Sequence, residues 1–372
     1  MQKNWISLGL MSGTSGDGVD ASIIRTNGIN EYELIKDKYF EYDLKIYKDI
    51  HNLKEKIHKI EHLETYKSEI NNLERKITIF HAEIIQQLNI RKDTIIGFHG
   101  QTIFHSPKEK ISKQLGNGKL LNQLTNKDVV FNFRGNDILN DGQGAPLTPV
   151  FHHLLSLQNK IKLPVCFLNI GGISNITIVK DKENLSELVS KDIGPGNCLI
   201  DSWVRKNSNK KFDKDGLLAL SGSKNEIIFE QAQELYINRR DKKKLSFDTN
   251  DFDISFVRGL SLEDGVTTLT DFSASIIGEE LSLALKNSGD KIVNVLLCGG
   301  GRKNKILIKK IKEKLLPEIN IKLIDDYKID GDFVESQAFA YLAIRSLLKL
   351  PISFPNTTGC KISSFGGELI KS

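Results

Sequence analysis

Ser12-Gly13-Thr14-Ser15-Gly16-Asp17-Gly18-Val19-Asp20 is a turn rich in glycine and hydroxyl groups, set between two strand-like runs, Ile6 to Leu10 and Ala21 to Ile24. Its glycines let backbone N–H groups approach a phosphate closely, and Thr14 and Ser15 add hydroxyl donors. Asp17 or Asp20 could orient a metal-bound water or a substrate hydroxyl. No Gly-Lys-Ser/Thr follows, so this is not a Walker loop. The stretch fits equally a tight hairpin with glycines at positive φ. The same design returns later: strand Val165 to Ile170, turn Gly171-Gly172, strand Asn175 to Val179. This echo predicts an α/β protein of two related domains facing each other across a cleft.

Between and beyond the two hairpins, strands alternate with helices. Leu44 to Leu88 carries apolar residues at helical spacing (Leu73, Ile77, Phe80, Ile84, Leu88) and no proline or glycine, which predicts one or two long helices. Thr94 to Phe98 reads as a strand leading into His99-Gly100-Gln101-Thr102. Val129 to Phe133 reads as another, followed by a Gly/Asn/Asp-rich loop up to Pro146. That loop suggests a boundary near Asp137 to Pro149: a first domain over 1–137, completed by 349–372, and a second over 138–348. In the second, a helix is expected from about Thr270 to Leu285, a strand over Val293 to Leu297, and a helix over Lys303 to Leu315. A strand over Ile321 to Ile324 and a helix near Glu335 to Leu348 follow.

Three further loops sit at strand ends. Gly171 and Gly172, with Ser174 and Asn175, repeat the first loop's chemistry. Gly299-Gly300-Gly301 precedes a helix with Asn304 one turn inside; three glycines leave room for a flat base or ribose, and a helix N-terminus favours anions. Any one could be a structural turn, but these two together with the first loop, three at strand ends, indicate a nucleotide cleft. In Asp192-Ile193-Gly194-Pro195-Gly196-Asn197 the Gly-Pro-Gly turn leaves Asp192 at a strand end, either as a general base or as a cap on the turn. His99 and Gln101 could present polar groups to a sugar, or His99 could be a hydrogen-bonded structural residue. Arg134 could grip a carboxylate or pair with Asp137. Glu335 could contact substrate or simply complement the helix dipole.

Composition narrows the classes. A chain of 372 residues suits two domains. No apolar run approaches the ~20 residues needed to cross a bilayer, and the N-terminus goes straight into a strand with no room for a signal peptide. A cytoplasmic protein without membrane contact is expected. Cys166, Cys198, Cys298 and Cys360 are far apart and read as reduced, buried thiols. The net charge of +5 is modest, and its densest basic run, Arg239 to Lys244, reads as a solvated loop rather than a nucleic-acid site.

Seven motifs in order make the chain resemble the anhydro-N-acetylmuramic acid kinase family nearly end to end. They are GLMSGTSGDGVD (Gly9 to Asp20), GFHGQT (Gly97 to Thr102), GQGAPLTPVFH (Gly142 to His152), NIGGISN (Asn169 to Asn175), DIGPGN (Asp192 to Asn197), CGGGRKN (Cys298 to Asn304) and VESQAFAYLA (Val334 to Ala343). The resemblance implies the two-domain fold of sugar kinases, actin and the heat-shock ATPases, with ATP in the interdomain cleft. It implies hydrolysis of the 1,6-anhydro bridge of a sugar coupled to phosphorylation of O6. Asp192 would be the base that activates water. Gly13, Thr14, Ser15, Gly16, Asp17, Gly18, Val19 and Asp20 would hold the phosphates, with Mg²⁺ expected through them. Gly172, Ser174, Asn175, Gly299, Gly300, Gly301 and Asn304 would complete the nucleotide site. His99, Gln101, Arg134 and Glu335 would face the sugar, Arg134 suiting its lactyl carboxylate. The implied partners are the sugar and ATP, and a homodimer is left open. Three positions depart from the family: Gly16 for a larger apolar residue, Ile193 for threonine and Asp141 for glycine. The rival readings are a kinase of this fold for another sugar, and a nucleotide-switched scaffold.

Overall fold

A computed structural model describes residues 3–239, 245–289, 291, 292 and 294–372. The basic run expected as a solvated loop lies, beyond Arg239, outside the described residues. Two compact units divide the chain. The first comprises 3–162, Asp181–Val189 and Asp332–Ser372; the second comprises Leu163–Lys180 and Ser190–Gly331.

The first unit is built on β1 (Trp5–Ser12), β2 (Gly18–Thr26), β3 (Tyr32–Glu41), β4 (Ile95–Ser106), β5 (Ile111–Leu115) and β6 (Val129–Phe131). β1 and β2 are antiparallel with Leu8 opposite Ile23; β2 and β3 are antiparallel; β4 runs parallel to β1 and to β6. The second unit carries β7 (Val165–Ile170), β8 (Ile173–Val179), β9 (Val189–Pro195), β10 (Asn294–Cys298) and β11 (Asn320–Leu323). A last strand, β12 (Glu368–Ile370), closes the first sheet against β6. The sheet orders are β12-β6-β4-β1-β2-β3 and β11-β10-β7-β8-β9. Aligning β1 with β7 and β4 with β10 makes the two central patterns the same, including the antiparallel hairpin and its parallel neighbour. The sequence echo is thus a repeated topology, as expected for the sugar kinase, actin and heat-shock ATPase class.

Strand alternation places each face of the first sheet. Leu8, Leu10, Ile96 and Phe98 point into a core formed with Ile46, Ile50, Leu53, Leu73 and Ile77 from the helices Leu44–Lys56 and Lys67–Leu88. Gly9 and Gly97 are register partners on the other face. A Cβ on Gly9 would lie 1.9 Å from the Ser336 carbonyl oxygen, and one on Gly97 would lie 2.3 Å from that of Phe339. These two glycines let the helix Val334–Leu347 lie directly on the sheet.

The expected boundary at 137 differs from this division, as does the placing of 138–348 together. Phe151, on the helix Pro149–Gln158, packs its ring 5.2 Å from Tyr32 and 5.7 Å from Tyr341, holding this helix in the first unit. Residues 332–348 belong there too, because their helix covers β1 and β4. The stretch from Leu44 to Leu88 forms two long helices, the second of the two alternatives expected, with the short helix Glu61–Thr65 between them, and the break comes where no proline or glycine stands. Ile57 turns extended (φ −101°, ψ 99°) and is fully buried, so core burial overrides helix propensity at that point.

Candidate active site

In the first unit, the turn after β1 is held from behind through its carbonyl groups. Gly16 N–H donates to Gly13 O at 3.1 Å, and Tyr42 N–H donates to Asp17 O at 2.9 Å. Gln101 Nε2 donates to Gly13 O at 3.0 Å and Lys54 Nζ to Thr14 O at 2.8 Å. The hydroxyls of Ser12 and Tyr42 share a hydrogen bond of 2.7 Å, and Ser15 Oγ donates to Asp17 Oδ1 at 2.6 Å. Gly13 has nothing closer than 3.9 Å to its would-be Cβ, so the backbone there is open to approach. Gly16 needs its glycine: φ is +63°, and Ile50 Cγ2 would stand 3.0 Å from a Cβ. The larger apolar residue that the resemblance led one to expect would find its room taken by Ile50.

Not every residue expected at this loop presents a side chain to it. Val19 is fully buried in the apolar core. Gly18 answers packing, since its Cβ would lie 2.4 Å from the Phe40 carbonyl oxygen. Asp20 sits in β2 opposite Met11 and Tyr39. Gln101, expected to face a sugar, is buried beneath the loop with Oε1 lacking a partner.

His99 and Arg134 are brought into contact. His99 Nδ1 pairs with Gly100 O at 2.8 Å, while Nε2 receives Arg134 Nε at 3.2 Å and Nη2 at 3.0 Å. Arg134 Nη1 also donates to Gly144 O at 2.8 Å. Burial, then the neighbouring guanidinium, lowers the His99 pKa to about 3, so the ring is a neutral acceptor that aims Arg134. Asp137 is buried and accepts from Gly144 N–H and Thr358 Oγ1, both at 2.6 Å; a surface ion pair does not describe it. The His99 ring lies 4.5 Å from that of Phe339, one helical turn beyond Glu335 on the same helix face. That helix start is pinned: Ser336 bonds Ser22 at 2.6 Å, and Gln337 Nε2 donates to Asp37 Oδ2 at 2.8 Å. His99, Arg134 and Glu335 are therefore carried on neighbouring elements of the first unit, and Gln101 lies two residues from His99 on β4 with its Oε1 unpartnered. Asp141 pairs with Lys110 and Lys361 at 2.7 and 2.6 Å, and its φ of +63° is one that the glycine expected from the resemblance would adopt freely.

These burials carry a pH signature. His81, His99 and His152 are all buried, with pKa values lowered by burial to about 4, 3 and 3. In the unfolded chain each would titrate near ~6.5. Their folded values are depressed, so the unfolded state binds protons first as pH falls. Their stability contribution is complete above ~6.5 and is lost toward pH 4 and then 3, by up to about 1.4 kcal/mol per pH unit for each ring. Denaturant midpoints should therefore drop clearly between pH 7 and pH 5; equal midpoints would remove the neutral-ring assignment.

In the second unit, three loops converge. The N–H groups of Gly196 and Cys198 donate to Gly172 O at 2.9 and 3.1 Å, and that of Asn197 to Gly171 O at 2.9 Å. A Cβ on Gly301 would meet Ile170 Cγ2 at 2.2 Å and Asn197 Nδ2 at 2.9 Å, and one on Gly299 would meet Asn169 Oδ1 at 2.3 Å. Gly300 has nothing within 4 Å, so packing does not require its glycine and its backbone is open to a ligand. Ser174 Oγ and Asn175 Oδ1 are buried without partners, as polar groups meant for a ligand would be. Asn304, expected at the nucleotide, accepts from Leu307 N–H at 3.0 Å and caps the helix Lys305–Lys312.

Asp192 lies within β9 and is 8% exposed. Its N–H donates to Leu245 O at 2.8 Å, and its Oδ2 accepts from Phe247 N–H at 2.7 Å. Gly194 (φ +147°) has Ile276 Cγ2 2.5 Å from its would-be Cβ. Ile193 is buried, so at this position core packing stands where the resemblance led one to expect a hydroxyl. Sequence reasoning missed Arg302, whose guanidinium ties the glycine loop to the segment after β11. The basic residue directly behind three glycines was its only signal.

Glycine turns on two like-built α/β units, with a buried carboxylate close to one set, are the equipment of a phosphoryl-transferring enzyme. Comparison with known proteins makes this specific. The family "Anhydro-N-acetylmuramic acid kinase" matches residues 5–371, and the chain belongs to it. The anhydro-N-acetylmuramic acid kinase of Pelagibacter ubique is 56% identical over 376 residues, covering 100% of both chains. That of Agrobacterium fabrum is 34% identical, covering 98% of each. Among solved structures, the (R)-2-hydroxyglutaryl-CoA dehydratase component A of Acidaminococcus fermentans overlays with a TM-score of 0.44 at 13% identity, covering 93% of this chain and 100% of that one. Family membership makes the chain a phosphotransferase acting on a sugar with ATP.

Proposed function

We propose that the chain is an ATP-dependent kinase that opens the 1,6-anhydro bridge of anhydro-N-acetylmuramic acid and phosphorylates O6. The products are N-acetylmuramate 6-phosphate and ADP, as cell-wall recycling in the cytoplasm would require. The observation that carries the reading is the buried Asp192 carboxylate, held by Phe247 N–H in the strand that leads into Gly194 to Asn197. Asp192 takes a proton from water as the water oxygen bonds to C1 and the C1–O6 bond breaks. O6 leaves with the electron pair and attacks the γ-phosphorus, and ADP departs. Gly13 to Asp17 would bind phosphate oxygens through the backbone, with Gly18 to Asp20 carried in β2 behind them. Gly172, Ser174, Asn175 and Gly299 to Gly301 would bind the rest of the nucleotide. Arg134, aimed by His99, would hold the lactyl carboxylate. Carboxylate oxygens are the donor class Mg²⁺ takes, so Asp17 and Asp20 fit a role toward its waters, and the bound ion would neutralise phosphate charge.

The test is ADP formation with and without the anhydro sugar, followed by mass spectrometry of the product made in ¹⁸O water. Sugar-dependent turnover with label at C1 of a phosphorylated sugar is expected. An unlabelled product, or ADP release indifferent to the sugar, would refute the coupled mechanism.

A further inference from the structure

Arg302 follows the three glycines directly, yet it is 8% exposed. A buried guanidinium is stable only when its donors are matched, and here they are. Nε and Nη2 grip the Asp325 carboxylate in fork geometry at 2.8 and 2.9 Å, and Nη2 also reaches Asp330 Oδ1 at 3.2 Å. Nη1 turns back and donates to Gly299 O at 3.1 Å. Gly299 N–H in turn donates to Gly331 O at 3.0 Å. Gly331 is a glycine for the same reason: a Cβ there would lie 2.6 Å from Arg302 Nε. The Gly299 N–H is thus held by Gly331, while its carbonyl is held by Arg302, through Nη1 and through the Arg302 N–H at 3.2 Å; the guanidinium fastens the loop to the segment 325–331. The pairing also holds the Asp325 carboxyl below its usual pKa, through the hydrogen bond from Arg302.

We propose that Arg302, with Asp325 as its anchor, is a positioning residue for nucleotide binding. It holds the Gly299–Gly301 backbone in the shape that receives ATP, without touching the reacting atoms. Gly299 sits at φ +77°, and Gly300 has open space around it, so glycine alone does not specify the loop's conformation. A rigid fork bonded to both a carboxylate and the loop carbonyl does. This inference rests on the kinase reading, with Gly299 to Gly301 as nucleotide contacts.

The experiment uses the full chain as wild type, Arg302→Met, Arg302→Lys, Asp325→Asn and the Met/Asn double variant. Melting temperature, calorimetric ATP affinity, and the kinetic constants for ATP and sugar are measured for each. Arg302→Met should raise the ATP Kd and KM by about ten- to hundred-fold, the scale of losing one or two charge-assisted hydrogen bonds. The sugar KM and kcat should stay within about three-fold, since the loop does not meet the reacting atoms. Arg302→Lys should recover only part, because an ammonium cannot reproduce the fork. Asp325→Asn should weaken ATP binding on its own, and much less so on the Arg302→Met background, since the two act as one unit. Asp325→Asn still decides the matter if Arg302→Met fails to fold. Unchanged ATP affinity in Asp325→Asn, or strictly additive losses in the double variant, overturns the proposal. Failure of the wild type to bind ATP at all would instead strike the kinase reading beneath it.

Discussion

Asp192→Asn is expected to bind ATP and sugar as the wild type does while turning over roughly 10²–10⁴-fold more slowly, the range that a positioned general base contributes. The substitution keeps shape and removes basicity. An asparagine carbonyl still accepts the Phe247 N–H bond made by Oδ2, so the segment beside β9 stays in place. Alanine would be a poorer probe, because it removes the acceptor of that part-buried N–H and mixes a folding defect with the chemical one. The measurements are single-turnover rate and calorimetric affinity for both substrates. An asparagine variant with wild-type turnover would take Asp192 out of the mechanism, whatever its affinities.

The second large effect is structural. Gly9→Ala places a methyl group 1.9 Å from Ser336 O and 2.5 Å from Ala340 N, both of them helix backbone. No rotamer relieves such a clash, because β1 is central in its sheet and the helix is itself covered. A loss of more than about 4 kcal/mol is expected, enough to deplete the folded protein. Gly97→Ala, 2.3 Å from Phe339 O, should do the same. Gly300→Ala is the control, since nothing lies within 4 Å, and it should melt as the wild type does. The comparison is read from thermal melts by circular dichroism. A Gly9→Ala melt matching that of the control would mean that the helix does not lie on the sheet as described.

This pair of glycines also marks where reading the sequence stopped short. Gly9 and Gly97 stand inside recognisable motifs, and motif logic credits such glycines to a ligand. Their actual task, letting a distant helix touch the sheet, depends on contacts more than 200 residues away in sequence. The hairpins at β1–β2 and β7–β8 were legible because apolar alternation and glycine turns are local signals. The helix break at Ile57 was not, because it answers to core burial rather than to a breaker residue. The chain leaves the first unit later than the Gly/Asn/Asp-rich loop suggested, because Phe151 finds Tyr32 and Tyr341. At the site, residue types and their order were readable, while orientation was not. Gln101 lies under its loop, Val19 in the core and Asn304 on a helix cap.

The backbone bonds from Gly196, Asn197 and Cys198 to Gly171 and Gly172 rivet two stretches of chain into a single plate, and Gly301 rests against it. Stretches joined by three backbone hydrogen bonds are coupled in position. A nucleotide that pressed on one edge of the plate would shift the whole of it, carrying the adjoining strand and its carboxylate along. Alignment of the Asp192 carboxylate would then be a property of the assembled plate rather than of any single residue on it.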